Sequence, residues 1–426
     1  MDNHGYPPMR EKSEPFTSHF SVSDYPIKEF PTEKPSHPHT VESLPWIQSP
    51  LKYSSGDDLY FHPREQASMI ELFFDLFFVA NLATFTSTHS IVDLDTLWAY
   101  LGFFTVIWFT WLQITMHDVR FAIDSFYERL CKAIQFCVFL GFALAGYNFE
   151  PWHQLIVYET LCFVLFLSRV LLTIQYAVVL VYVTNSNSKL VKPLIFIVST
   201  FVVSSVTFLA MIIASHTGLS AKIYYIWYVM ALLEAVAVLS ISATWSSLGF
   251  GKTHLFERMG LLSMIVVGEG VIGVTKVVGK TMGADGPDIR AVQQAMAIIG
   301  ILIFLWAIYF DNHPHEGQQL GTKLETFWVA IHFPLHLAFV GIAEGANQIA
   351  IAYKTWTYYR KFTDIATATC ATPGITSQGL TSTLNSTISY FAFSKYTYSA
   401  SIALDIEKSL LTLNNTVNPC APLATT

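Results

Sequence analysis

Residues 70–81 read Ile70-Glu71-Leu-Phe-Phe-Asp75-Leu-Phe-Phe-Val-Ala-Asn81, and the apolar run carries on to Thr88. Nineteen residues of this kind are about what a helix needs to cross the hydrocarbon of a bilayer. Two acids interrupt the run at i and i+4, so on a helix both carboxylates point the same way, one turn apart. An ionisable group at lipid depth is a functional candidate by default. The stretch therefore announces a membrane-spanning helix that carries chemistry.

The rest of the chain agrees with the first half of that reading. Of 426 residues, 52% are hydrophobic and 13% are charged, against about a quarter charged in an ordinary soluble domain. The mean hydropathy is +0.43. These values exclude a wholly soluble enzyme and a nucleic-acid-binding module, and the net charge of −7 argues further against a polyanionic partner. Five cysteines are too few for a disulfide framework. The partner implied is the lipid bilayer itself.

Nine apolar runs follow, at 70–88, 96–116, 130–147, 155–183, 191–214, 223–243, 256–278, 292–310 and 326–352. Backbone amides inside hydrocarbon must be satisfied internally, and no barrel-like alternation is present. The expected fold is an all-α, polytopic transmembrane helical bundle of about nine spans over 70–361. Residues 1–69 hold ten of the eighteen prolines and few apolar runs, which predicts a disordered tail. No cleaved signal peptide is visible. Residues 362–426 are Ser/Thr-rich and read as a polar tail or truncated loop. Within it, Ile402, Ile406, Leu410 and Leu413 keep a helical period, and Lys395 makes 388–404 a poor span.

Lys and Arg set the expected orientation. With the N-terminus cytoplasmic, Arg120, Arg129, Lys132, Lys189 and Lys252 lie inside, whereas the loops 89–95 and 148–154 carry no Lys or Arg; Lys280 and Arg290 run against the rule. An odd number of spans then puts the C-terminal tail outside. That tail carries acceptor sequons for N-glycosylation at Asn385 and Asn414, together with Cys370 and Cys420. The alternative is an unglycosylated tail with two free thiols.

Other spans also hold polar groups. The seventh contains Glu257, Arg258, Glu269 between Gly268 and Gly270, and Lys276; Arg258, Glu269 and Lys276 fall within about 20° of one another on a helical wheel. Lys276 and Arg169 of the fourth span are candidate partners for Glu269, and Arg120 or Arg258 for the Glu71–Asp75 pair. The ninth span carries Glu325, His332-Phe-Pro-Leu-His336, Glu344 and Asn347. Pro334 frees the carbonyl of Ala330 and favours a kink. The two imidazoles could hold a metal with a third ligand, relay protons, or hydrogen-bond across the bundle. Asp118 and His313, the latter in the run Asp311-Asn-His313-Pro-His315-Glu316, are the candidate third ligands. For each acidic group the reading stays open between an ion site and an interhelical fastener. No P-loop, K⁺-filter loop or voltage-sensing arginine ladder occurs, and no cofactor is implied.

The blocks ELFFDLFFVANLATFT in the first span and ERMGLLSMIVVGEGVIGV in the seventh resemble the two signature blocks of the low temperature requirement A family. On that resemblance the family's recurrent acids map to Glu71, Asp75, Glu257 and Glu269, with Arg258 beside them. The HFPLH block at His332–His336 and the WFTWLQ…DVR block at Trp108–Arg120 are similar to those of the family's fungal members. The likeness covers about 65–361. Fungal relatives of this kind often have further spans after a long polar loop, so the resemblance implies a short form or an incomplete gene product. It implies an integral membrane protein and leaves the chemistry open.

Two functions follow as expectations. The first is a transporter- or channel-like protein for a small ion or small-molecule substrate. Its proton or cation path would draw on Glu71, Asp75, Arg120, Arg169, Glu257, Arg258, Glu269, Lys276, His332 and His336. The second is a membrane-embedded, metal-dependent lipid hydrolase built on His332, His336 and Asp118 or His313. A scaffold without turnover is the third possibility.

Overall fold

The computed structural model describes residues 44–53, 59–61, 66–89, 91, 93–147, 149, 154–184, 189–217, 223–251, 253–281, 289–312, 321–391, 400–416 and 420. Its helices are α1 (Met69–Thr88), α2 (Leu94–Phe121), α3 (Phe126–Gly146), α4 (Leu155–Thr184), α5 (Val191–Ser215), α6 (Ile226–Thr244), α7 (Leu255–Thr281), α8 (Ile289–Asp311), α9 (Thr322–Cys370), α10 (Ser377–Phe391) and α11 (Ala400–Asn414). Among the described residues, α1 to α9 are long and apolar enough to cross a membrane. The chain is an integral, multi-pass membrane protein, and each expected span coincides with one of these helices.

The helix ends follow from local chemistry. Asp93 accepts the Thr96 amide at 2.8 Å and caps α2, and that bond holds its exposed carboxyl below the usual carboxylate range. Glu71 accepts the Ser68 amide at 2.7 Å in the first turn of α1, so the first membrane acid doubles as a capping group. Helix α2 stops at Phe121, Ser125 caps α3, and the pair across the bend is Asp124 with Arg129 at 2.8 Å.

The centre of the bundle is α2. Of its apolar window 78% is buried, against 22–50% for the other eight spans. Those eight expose Leu, Ile, Val and Phe outward, including Phe196, Val203, Ile303 and Phe304. In a soluble fold such a surface would be a liability; in lipid it is the expected solvent-facing side. Helices α1, α4, α6, α7 and α9 all touch α2, while α4 pairs with α5, α7 with α9, and α1 with α3.

The tail expected over 1–69 lies outside the described residues as far as residue 43. Of the remainder, β1 (Leu51–Tyr53) and β2 (Leu59–Phe61) pair antiparallel, with Leu51 opposite Phe61. The carbonyls of Pro45 and Trp46 accept the amides of Phe126 and Tyr127. These bonds tie the segment before α1 to the start of α3.

Helix α9 runs through Pro334 and past residue 361 to Cys370. Beyond it α10 and α11 pack on its end around Ala366, Leu380 and Leu384, and Cys370 is disulfide-bonded to Cys420. The helical period read at Ile402–Leu413 lies in α11. The polar tail is thus a small helical unit with a staple.

Candidate functional site

Three polar centres lie inside the bundle. The first sits where α1 and α7 begin. Arg258 Nη2 donates to Asp75 Oδ1 at 2.7 Å, and Nη1 lies 3.7 Å from Glu71 Oε2. Trp111 of α2 donates its indole N–H to the same Asp75 oxygen at 2.8 Å, and His254 Nε2 lies 3.2 Å from Glu71. The two like-charged acids share one guanidinium, which offsets their mutual repulsion in low dielectric. Glu257 turns outward and accepts the Ala67 amide at 2.9 Å. A cavity of about 410 Å³ opens beside this centre, lined by Glu71, Asp118, Asp124, Glu128, Arg129 and Lys132 among others. In its wall Lys132 forms a short ion pair with Asp118.

The second centre is at mid-depth and consists of closed pairs. Arg169 of α4 binds Glu234 of α6, with Nη2 to Oε2 at 2.8 Å and Nε to both carboxylate oxygens at 3.0 Å. Its remaining nitrogen donates to Thr110 and Ser168. The imidazoles are equally occupied. Trp108 donates to His336 Nδ1 at 3.0 Å, so the neutral ring carries its proton on Nε2 and gives it to Ser263 Oγ at 2.7 Å. Ser263 passes its own proton to the Met259 carbonyl. His332 donates from Nδ1 to the Trp328 carbonyl, which can only accept, leaving Nε2 to take the Tyr309 hydroxyl proton at 2.9 Å. This bonding fixes each tautomer.

The third centre lies toward the other membrane face. Glu269 of α7 is 5% exposed, and neither carboxylate oxygen has a hydrogen-bond partner. Around it are Glu344 and Asn347 of α9, Tyr100 of α2 and Thr86 of α1, lining a small space of about 10 Å³. Thr86 and Tyr100 share a hydrogen bond at 2.9 Å, while Asn347 Oδ1 is buried without a partner. The glycines make this closeness feasible. A Cβ on Gly270 would press on Leu302 and Ala343, and one on Gly273 would collide with the Asn347 amide. Gly268 faces open space. This void shares no lining residue with the larger cavity. On α7, Arg258 and Glu269 are eleven residues apart, roughly 16 Å along the axis.

Several sequence expectations are corrected by these positions. Arg169 pairs with Glu234, and so is not the partner of Glu269. Lys276 is exposed and forms no ion pair with Glu269. The cation of the Glu71–Asp75 pair is Arg258; Arg120 instead donates to Ser242 at 2.6 Å and stacks on Phe250. Asp118 is held by Lys132, with His117 at 3.6 Å, so it does not join His332 and His336. His313 lies outside the described residues. Among those residues no group of three His, Cys, Asp or Glu is disposed to hold a metal. Sequence reading missed Glu234, His254 and the indole donors Trp108 and Trp111. For Glu234 there was a signal: a lone acid near the middle of one span and a lone Arg near the middle of another.

No curated protein and no solved structure matches the chain. A family model described as Bacterial low temperature requirement A protein (LtrA) matches residues 66–403, a stretch that takes in all three polar centres. The acids of the first and third centres, Glu71, Asp75 and Glu269, are those the sequence blocks had marked, and the chain belongs to the low temperature requirement A family.

Proposed function

We propose that this protein moves protons or a small monovalent cation across the membrane, with Glu269 as the group that binds them. The observation that carries the reading is the bare Glu269 carboxylate, buried at depth with both oxygens unpartnered. A buried carboxylate without a donor is tolerated only when it holds a proton or a cation. The lining supplies further oxygen ligands from Glu344 and Asn347, and the void of about 10 Å³ has room for one water-sized particle. The first centre is the natural gate on the opposite half. Its cavity reaches Glu71, and Asp75 keeps one buried oxygen, Oδ2, without a partner. Phe78 of α1 packs against Phe104 and Trp111 of α2, and these rings and Trp108 are fully buried. In this reading the described conformation is an occluded one, and passage requires those layers to part.

The test is flux through the purified protein in proteoliposomes, with a pH-sensitive dye inside and an imposed proton, Na⁺ or K⁺ gradient. The wild-type chain should dissipate one of these gradients, and Glu269→Gln should slow it at least tenfold. Asp75→Asn should also slow it, by acting on the gate. Unchanged flux in Glu269→Gln removes the site, and no flux from the wild-type chain removes the transport reading and leaves a membrane scaffold.

A further inference from the structure

We propose that the helical unit beyond α9 is an exoplasmic cap, N-glycosylated at Asn385 and Asn414 and closed by Cys370–Cys420, and that the membrane face at which α1 begins is cytosolic. The disulfide joins the last residue of α9 to a residue 50 positions on, enclosing α10 and α11. Such bonds form and persist in oxidising compartments and are rare in reducing ones. The other three cysteines, Cys131, Cys137 and Cys162, lie within α3 and α4 and are unpaired. The two cysteines outside the apolar spans are the two that are joined.

Placement of the acceptor sites fits the same compartment. Asn385 is exposed on α10 with Thr387 at i+2, and Asn414 is exposed at the end of α11 with Thr416 at i+2. Both sit in the disulfide-closed unit, and the described chain there has a small apolar core of its own. Distance from the lipid is supplied by α9. Its 49 residues extend roughly 75 Å at 1.5 Å per residue, against about 30 Å of hydrocarbon. Cys370 at its tip therefore stands clear of the bilayer surface. Nine described crossings place that tip on the opposite side from the start of α1. The connectors agree in part: 89–93 and 147–154, on the cap's side, carry no Lys or Arg, whereas Arg129, Lys132 and Lys189 lie at the other face.

The chemistry balances as follows. The two thiols lose two protons and two electrons to a disulfide oxidant of the compartment, which leaves as a dithiol. At each Asn the side-chain N–H is replaced by a bond to C1 of an oligosaccharide, and the lipid-linked diphosphate that carried the sugar departs with the proton. Neither step depends on the transport reading.

The full-length chain, expressed in a eukaryotic secretory membrane, tests this by gel mobility before and after peptide-N-glycosidase. Wild type should drop by two glycan steps, Asn385→Gln and Asn414→Gln by one each, and the double variant by none. In parallel, intact cells are treated with a membrane-impermeant maleimide polymer. Two additions should appear only after mild reduction, and a Cys370→Ser/Cys420→Ser chain gives the background from the three span cysteines. A glycosidase-insensitive wild type with thiols that still need reduction from outside overturns the glycan sites and keeps the orientation. Labelling of Cys370 or Cys420 from the cytosolic side without reductant overturns the assignment altogether.

Discussion

Arg169–Glu234 and Glu269 put buried charge inside the same bundle and treat it in opposite ways. In the first, an acid and a base from two helices meet through three N···O contacts made by two guanidinium nitrogens, and the leftover nitrogen is taken up by Thr110 and Ser168. In the second, a buried acid receives no donor at all. The contrast separates the two readings that burial alone cannot. A charge answered on every side fastens helices; a charge left unanswered is waiting for something that is not protein. The Asp75–Arg258 centre stands between these cases, since one Asp75 oxygen is doubly engaged and the other has no partner.

The largest effect should come from breaking the closed pair. Glu234→Gln or Arg169→Leu leaves one uncompensated buried charge and should lower unfolding stability in detergent by about 3–5 kcal/mol. Replacing both by Leu should recover most of that loss, because two apolar side chains need no partner. A single variant that melts with wild type would erase the distinction between fastened and free charges.

How much of this was readable in advance depends on the kind of information required. The nine crossings were legible because each needs only a run of apolar residues of bilayer length, a local property. Glu71, Asp75 and Glu269 were legible as unusual for the same reason. What could not be read was pairing. Arg169 is a candidate partner for Glu269, beside Lys276, because all are ionisable groups in apolar spans, yet which helix faces which depends on the rotation of α4 and α6 around α2, and no short window of sequence encodes that. The indole donors were hidden differently. Trp108 and Trp111 look like packing aromatics, and only the geometry reveals that their single N–H groups set the His336 tautomer and one Asp75 bond. The Cys370–Cys420 bond was left open because two cysteines 50 residues apart state no distance in space.

Intermediate changes sharpen the middle case. Trp111→Phe keeps the ring and deletes the hydrogen bond to Asp75, which should destabilise the protein by about 1.5–3 kcal/mol, as for other bonds to charged groups. Gly273→Ala addresses the third centre through shape. Its new methyl collides with the Asn347 amide, so either Asn347 moves away from Glu269 or the helices part, at a cost of about 1–3 kcal/mol. Thermal melts rank these two against the Arg169 variants, and proteoliposome flux should fall in Gly273→Ala even where folding is kept.

The smallest effect on stability is the most telling. Glu269→Gln swaps a carboxylate for an amide of nearly the same shape at a site where no protein donor is lost, so the change in unfolding free energy should stay under about 1 kcal/mol. A group that binds N and not U stabilises N in proportion to the logarithm of ligand concentration. If Glu269 holds a cation, the wild-type melting temperature should climb as Na⁺ or K⁺ is raised at constant ionic strength; if it holds a proton, the temperature should climb as pH falls. In either case Glu269→Gln should flatten the response while melting close to wild type in the absence of ligand. A loss as large as that of Glu234→Gln would mean that Glu269 is fastened after all, through contacts this conformation does not contain, and the difference between the two acids would be one of degree.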